Sequence, residues 1–363
     1  MQNKVFNSSG DYLERFHASL REWFRPDNIE LREAIEKTVH ENLFSFQDIK
    51  HQILSLKKAT SKEKVDYWVG QQKINPGQLK SSDVLALHAG NLPIVGFQDV
   101  IAIALTGARY MGKISRRDPY ILPTLIRSFR RHGLLENAVW STRLSPLKGF
   151  KAKAVIFSGS SRSIDSVLEQ IYKFSLLEET AAHLMRTAHF SMAYIENDDS
   201  ETMHNLTEAV FRYGGKGCRS VGVVVSPLRL DRVKCHFTDY IESFWLNNPQ
   251  HLKPPPALFH RFAYNKAVGH PQMWLDHFLI EETEIMPEDE FVCHWIQGDK
   301  DTIRRILQKK PKGLQSIYSS STEDLFQFDE LSIKAEPLSS AQTPPIDWKP
   351  DGIDTIGWLK ANL

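Results

Sequence analysis

The sequence predicts an α/β protein built on parallel β-sheet, and three observations predict it. From residue 83 onward, short apolar runs alternate with longer helix-forming ones: 84–89, then 96–105, then 110–114, then a helix opened by Asp118-Pro119. Repeated strand–helix units of this kind place helices on both faces of a parallel sheet. The run 221–225 is β-branched and reads as a buried strand. Finally, 363 residues suit two domains better than one core, and 41% hydrophobic with 25% charged residues is ordinary for a soluble globular protein.

The elements follow in order. Residues 11–70 are expected to be helical, with Pro26-Asp27-Asn28 as a start signal and Ser45 with Asp48 as a capping pair before Ile49 and Ile53. Nothing there suggests chemistry, and a packing or dimerisation layer is expected. The stretch His88-Ala89-Gly90-Asn91-Leu92-Pro93 reads as a turn after the first strand. Asp118 and Pro119 read as cap and first residue of the next helix. Further strands are expected at 138–144, 154–157, 191–195, 274–280, 291–296 and 314–318. Helices are expected from about 164, at 201–213, at 231–245 and at 302–307. Residues 331–350 read as an extended linker, and a closing helix follows, anchored by Ile353, Ile356 and Trp358.

Composition excludes several functions. Lys and Arg number 45 against 44 Asp and Glu, so the net charge of +1 makes no case for nucleic-acid binding. Three scattered cysteines, Cys218, Cys235 and Cys293, form no disulfide framework and fit a reducing compartment. No Cys/His spacing suits zinc, so no metal is expected. The N-terminus lacks a signal-peptide apolar core, and no apolar run is long enough for a transmembrane segment. A cytoplasmic protein is the expectation.

Four constellations could carry chemistry. Cys218 lies behind the glycine-rich turn 214–217 and ahead of the strand 221–225, with Lys216 and Arg219 beside it. Such cations can raise the thiolate fraction of a nucleophilic cysteine, although a buried structural thiol reads equally well. Ser158-Gly159-Ser160 joins a strand to a helix N-terminus, where free N–H groups can cradle a phosphate, or it merely connects the two. Lys113, Ser115 and Arg116 close a strand and could hold a ribose and an adenylate phosphate, or form a solvated basic loop. Asn91 ends a strand, where its amide could donate to a developing oxyanion or simply shape the turn.

Order and spacing of these segments resemble the aldehyde dehydrogenase superfamily. Gly107 and Lys113 with Ser115 are similar to its Gly-x5-Lys-Pro-Ser motif. Phe157-Ser158-Gly159-Ser160 is similar to its Phe-Thr-Gly-Ser turn, and Gly217-Cys218 to its catalytic-cysteine motif. Three segments resemble more closely the LuxC-type acyl-CoA reductases: 89–93, 113–119 and 214–221, within a resemblance covering roughly residues 80–320. It implies an aldehyde-dehydrogenase-like fold, a Rossmann-type dinucleotide-binding domain plus an α/β catalytic domain. The expected segments are a helical layer (1–80), the dinucleotide-binding domain (81–190), the catalytic cysteine domain (191–330) and a linker with C-terminal helix (331–363).

The resemblance also implies roles. Cys218 would attack an acyl thioester, with the Asn91 side chain and the Cys218 N–H as oxyanion hole. Lys113 and Ser115 would face the adenosine ribose, and Ser158, Gly159 and Ser160 the pyrophosphate. Arg116 stands where NAD-using members often carry a ribose-binding glutamate, so NADPH is expected over NADH. The Glu-Leu-Gly-Gly motif of oxidising members is replaced by Arg186-Thr187-Ala188-His189-Phe190, which offers no carboxylate base. His189 or His183 could substitute, or be structural. Phe97, Trp140, Phe190 and Phe211 are candidates to line an acyl tunnel. The implied substrate is an acyl-CoA or acyl-protein thioester, the assembly a homo-oligomer, and a partner an acyl-protein synthetase. Two rivals are a CoA-acylating dehydrogenase of short aldehydes and a catalytically silent acyl-carrying or scaffolding paralogue.

Overall fold

A computed structural model describes residues 9–249, 251–287, 289–309, 311–320, 327–328 and 333–363. The chain divides into two units, Met1–Thr187 with Pro345–Leu363, and Ala188–Pro344.

The first unit begins with four helices, α1 (Ser9–Trp23), α2 (Ile29–His40), α3 (Phe46–Ala59) and α4 (Lys62–Gln72). The expected start signals operate: the Asn28 side chain accepts from the Leu31 N–H and the Ser45 hydroxyl from the Asp48 N–H. These helices form a packing layer. Tyr12 donates to the Ala104 carbonyl at 2.6 Å, Trp23 to the Thr124 hydroxyl at 2.7 Å, and Ser128 to the Ser19 carbonyl at 2.9 Å.

The sheet follows as β1 (Asp83–Leu87), α5 (Phe97–Thr106), β2 (Arg109–Lys113), α6 (Ile121–Arg131), β3 (Val139–Ser141), β4 (Ala152–Ser158), α7 (Ile164–Lys173) and β5 (Leu177–Arg186). All pairings are parallel, in the order β3-β2-β1-β4-β5. Side chains alternate across it: Val84 and Ala86 join the core under α1, α5 and α6, while Leu85 and Leu87 join a second core with Val155, Phe157 and Ile171.

The second unit carries β6 (Phe190–Tyr194), α8 (Ser200–Phe211), β7 (Val221–Ser226), α9 (Lys234–Asn247), α10 (Pro256–Ala267), β8 (Gln272–Leu275), β9 (Phe278–Glu282), β10 (Val292–Gln297), α11 (Lys300–Gln308) and β11 (Leu314–Ser319). Short strands β12 (Gln327–Phe328), β13 (Ile333–Lys334) and β14 (Glu336–Pro337) follow. Its main sheet runs β14-β11-β6-β7-β10-β9-β8, with only β8 antiparallel among these pairings. Its core groups Leu206, Phe237 and Phe278 in one cluster, and Val223, Val225, Ile303 and Ile306 in another. The chain then returns to the first unit as α12 (Thr355–Asn362), where Gln98 donates to the Ile346 and Trp348 carbonyls at 2.7 and 2.6 Å.

Several elements differ from expectation. The expected strand 274–280 is two strands, because Asp276 and His277 take φ of +41° and +78° and reverse the chain. Strand β5 was not expected at all. The helix expected at Asp118-Pro119 starts at Ile121, with Tyr120 in the cap position. The segment expected to be a linker at 331–350 includes β14, and its start lies partly outside the described residues. Ile353 is 39% exposed, while Ile356 and Leu359 are fully buried and Trp358 packs, partly buried, against the same core.

Candidate functional site

The strand order of the first unit determines where its ligand chemistry can lie. From β1 the chain steps outward to β2 and β3, then returns to lay β4 and β5 on the other side. The loops leaving β1 and β4 therefore run to opposite sides, which is where open α/β sheets generally hold their ligands, at the carboxyl ends of the strands. Leu87, Lys113 and Phe157 lie in one row across β1, β2 and β4. The residues that follow them are the sequence candidates. Asn91 follows β1, Lys113, Ser115 and Arg116 close and follow β2, and Ser158, Gly159 and Ser160 close and follow β4. The fold thus gathers these seven candidates on one edge of one sheet.

Their local geometry suits polar ligands. The Asn91 side chain is half-buried and makes no hydrogen bond among the described residues, leaving its amide free to donate. Gly90 lies against Ser115 so closely that a Cβ there would come within 2.0 Å of the Ser115 hydroxyl. Only glycine permits this contact between the turn after β1 and the loop after β2. Lys113 is half-buried with no carboxylate partner among the described residues; burial, then the nearby Arg116, lowers its pKa. Arg116 is exposed, and Ser115 is nearly buried, its hydroxyl accepting from the Arg117 N–H at 3.2 Å. Beyond β4, the Ser163 N–H and hydroxyl both donate to the Ser160 carbonyl, at 3.0 and 2.7 Å. No side chain caps α7, and the Ile164 N–H at its head donates to the Ser161 carbonyl.

Beneath this edge lies a buried polar network that sequence reading missed. Arg186, at the end of β5, donates to Asp99 at 2.6 Å and to the Thr355 hydroxyl at 2.7 Å. The His88 ring bonds the Tyr110 hydroxyl at 2.8 Å. Burial holds that ring's pKa down at about 4, despite Asp99 nearby, so the ring is neutral at pH 7. The only sequence signal was polar residues inside apolar runs, such as Asp99 within α5.

Cys218 belongs to the second unit. It lies at the amino end of β7, behind a turn in which Tyr213, Gly214, Gly215 and Gly217 take φ of +59°, +73°, +69° and +95°. The glycines make this run of left-handed residues tolerable. A Cβ on Gly214 would come within 2.8 Å of the Phe291 ring. The Cys218 carbonyl accepts from the Ser191 hydroxyl at 2.8 Å, and Ser191 in turn accepts from the Ser316 N–H at 3.2 Å, tying the cysteine turn to β6 and β11. Cys218 is half-exposed, whereas Cys293 is buried with its pKa raised by desolvation.

The cations beside Cys218 pair with carboxylates. Lys216 pairs with Glu290 at 3.3 Å. Arg219 is buried, pairs with Glu336 at 3.2 Å, and donates to the Ser340 and Ala341 carbonyls, both at 2.8 Å. Arg219 thus anchors the segment after β14 to the cysteine turn. The buried Tyr318 ring lies 5.4 Å from the Arg219 guanidinium. Among the described residues its hydroxyl has no hydrogen-bond partner of normal geometry, although Ser316 and Cys218 are near enough to influence its ionisation.

Other candidates are brought together less well. Phe97, Phe190 and Phe211 are buried in three different cores, and Trp140 packs beside the first of these. His183 and His189 are exposed, and the His189 ring rests against Gly313. Among the described residues, no three His, Cys, Asp or Glu side chains cluster as metal ligands. No helix among them is long and apolar enough to cross a membrane.

The parallel sheet of the first unit, with its order reversing beside β1, and the mainly parallel sheet of the second give an aldehyde-dehydrogenase-like α/β fold. Comparison with solved structures agrees. The chain is similar to aldehyde dehydrogenase 21 of Physcomitrella patens, solved with its reaction product succinate, at 12% identity over 94% of this chain and 80% of that one, TM-score 0.63. It is similar to an NAD-dependent benzaldehyde dehydrogenase from Corynebacterium glutamicum, at 13% identity over 96% and 83%, TM-score 0.62. A Mycobacterium tuberculosis aldehyde dehydrogenase complexed with NAD+ aligns at 15% identity over 90% and 77%, TM-score 0.60. No family model matches the chain, and no curated protein does. At such identities the likeness shows the fold.

Proposed function

We propose that this protein is a nicotinamide-dependent oxidoreductase of the LuxC type, reducing an acyl-CoA or acyl-protein thioester to an aldehyde through an acyl-enzyme on Cys218. The observation that carries this reading is the end of β5. There Arg186 is locked to Asp99, and residues 186–190 contribute no carboxylate to activate water. An acyl-enzyme lacking a base resists hydrolysis, which favours reduction over oxidation to a free acid.

In this scheme the Cys218 thiolate attacks the thioester carbonyl and the CoA or protein thiolate leaves. By the family resemblance the Asn91 amide and the Cys218 N–H would be the oxyanion donors, each contributing about 3 kcal/mol in the transition state. Lys113 and Ser115 would hold the adenosine ribose, and Ser158, Gly159 and Ser160, with the head of α7, the pyrophosphate. The cofactor supplies the hydride. Arg116, exposed and without a carboxylate partner among the described residues, suits a 2′-phosphate and favours NADPH over NADH. Self-assembly into a homo-oligomer, a cytoplasmic setting and delivery of the acyl group by an acyl-protein synthetase accord with the same reading.

The test is incubation of wild type and Cys218→Ala with long- and short-chain acyl-CoA, each with NADPH or NADH. Aldehyde and cofactor oxidation are expected only in wild type, and faster with NADPH. Acylation of Cys218 without cofactor turnover would instead mark an acyl carrier, and a preference for short chains a CoA-acylating dehydrogenase.

A further inference from the structure

We propose that Asp118 is a positioning residue that holds the turn 90–93, and with it the Asn91 amide, in working geometry. The inference rests on the reading of Asn91 as an oxyanion donor.

Ile94 closes that turn. Its φ of +60° lies in the left-handed region, which a β-branched side chain adopts only under constraint. Ile94 is 1% exposed, so it is held within the protein interior. The Ile94 N–H donates to Asp118 Oδ2 at 2.6 Å, from a partner 24 residues along the chain. Asp118 is itself 4% exposed and has no cationic partner among the described residues. Beside the Ile94 bond, only the Ile121 N–H at the head of α6 favours its charged form. A carboxylate buried without a countercharge is costly, and is kept where its hydrogen bonds are needed.

The turn has two further anchors. At its start the His88 N–H donates to the Lys113 carbonyl at 3.1 Å, while the His88 ring holds Tyr110. In its middle Gly90 rests on Ser115. These two anchors leave the exit free, and Asp118 acts on the strained residue at that exit. Asp118 touches neither substrate nor cofactor in the proposed scheme; it acts through Ile94 on the neighbouring turn. A plain helix cap would explain the contact with Ile121 but not the bond to Ile94.

The experiment compares Asp118→Ala, which removes the acceptor, with Asp118→Asn, which keeps one, each in wild-type and Asn91→Ala backgrounds of the full chain. Hydrogen–deuterium exchange of the peptide spanning residues 88–97 reads the clamp without any activity. The rate of Cys218 acylation by palmitoyl-CoA, followed by mass, reads its consequence. Asp118→Ala should lose exchange protection and acylate about ten- to a hundredfold slower at saturation, with little change in KM. Asp118→Asn should restore both readouts. In the Asn91→Ala background, Asp118→Ala should slow acylation no further, because both changes remove one function. If Asp118→Ala does not fold, it is made with Ile94→Gly, where positive φ is unstrained; the pair should then fold and acylate at the Ile94→Gly rate. Unchanged exchange, an equal loss in both Asn91 backgrounds, or a pair that still fails to fold overturns the proposal. A wild type that never acylates Cys218 would sink the reductase reading instead, and exchange would still decide whether Asp118 clamps Ile94.

Discussion

Two buried groups in the first unit titrate in opposite senses. Burial pushes the Asp118 carboxyl up from 3.8 to about 7 and the His88 ring down from 6.5 to about 4. Folded Asp118 holds its proton more tightly than unfolded Asp118, so its contribution to stability falls as pH rises through that window. Folded His88 gives its proton up more readily, so its contribution is lost as pH falls from 6.5 towards about 4. Asp118→Asn removes only the first slope. Its stability relative to wild type should therefore rise between about pH 4 and 7 and level off above. Urea midpoints at about pH 5, 6, 7 and 8 measure this, and a difference independent of pH would contradict it. At this scale the sequence announced the tight turn before Cys218, because three clustered glycines before a β-branched run are uncommon and local. It hid the bond from Ile94 to Asp118, because nothing local links a residue to an acceptor on the next loop but one.

Among the elements, the turn from β1 to α5 matters most, because it carries Asn91 over the loop after β2. Gly90→Ala would drive a Cβ to 2.6 Å from the Ser115 Cβ as well as onto its hydroxyl. The turn must then lift away from the strand end. Overpacking of this kind costs about 1–3 kcal/mol. If the proposed function holds, the variant should acylate more slowly and bind the nicotinamide cofactor more weakly, read by single-turnover acylation and cofactor titration; unchanged values for both would refute the contact. Strands in apolar, β-branched runs, such as β1 and β7, were legible. Strand β5 was not. It is an edge strand carrying Glu178, Glu179, Thr180 and His183, and an edge needs no apolar alternation because one side stays in solvent. The β8–β9 turn was hidden because Asp276 and His277 adopt positive φ without the glycine that usually marks such a turn.

For the whole molecule, the telling feature is that the first unit is discontinuous in sequence. Its last piece, residues 345–363, is bound by Trp68 to Asp354 at 2.8 Å, by Arg186 to Thr355, and by Lys360 to the Gln72 and Lys73 carbonyls at 3.1 and 3.0 Å. Deleting it uncovers the sites of Ile356 and Leu359, each worth about 1.5–3 kcal/mol of burial, and unpairs part of Arg186. The truncated chain should unfold at least about 3 kcal/mol more easily in its first unit, seen as a lower denaturant midpoint for Trp23 and Trp68 fluorescence. An unchanged midpoint would show that α12 is ornamental. That the chain is built on parallel α/β sheet was legible from the alternation of elements, whereas this return of the chain was not, since Pro345 and Ile346 carry no mark of where they will dock.

The same return has a bearing on biosynthesis. The sheet holding β1 to β5 is made early, yet the segment that seals it emerges only after the whole of the second unit has been translated. At roughly 5–20 residues per second the gap lasts on the order of ten seconds. Throughout that interval the apolar seat of α12 lacks the helix that will cover it, a surface that chaperones recognise until α12 itself leaves the ribosome.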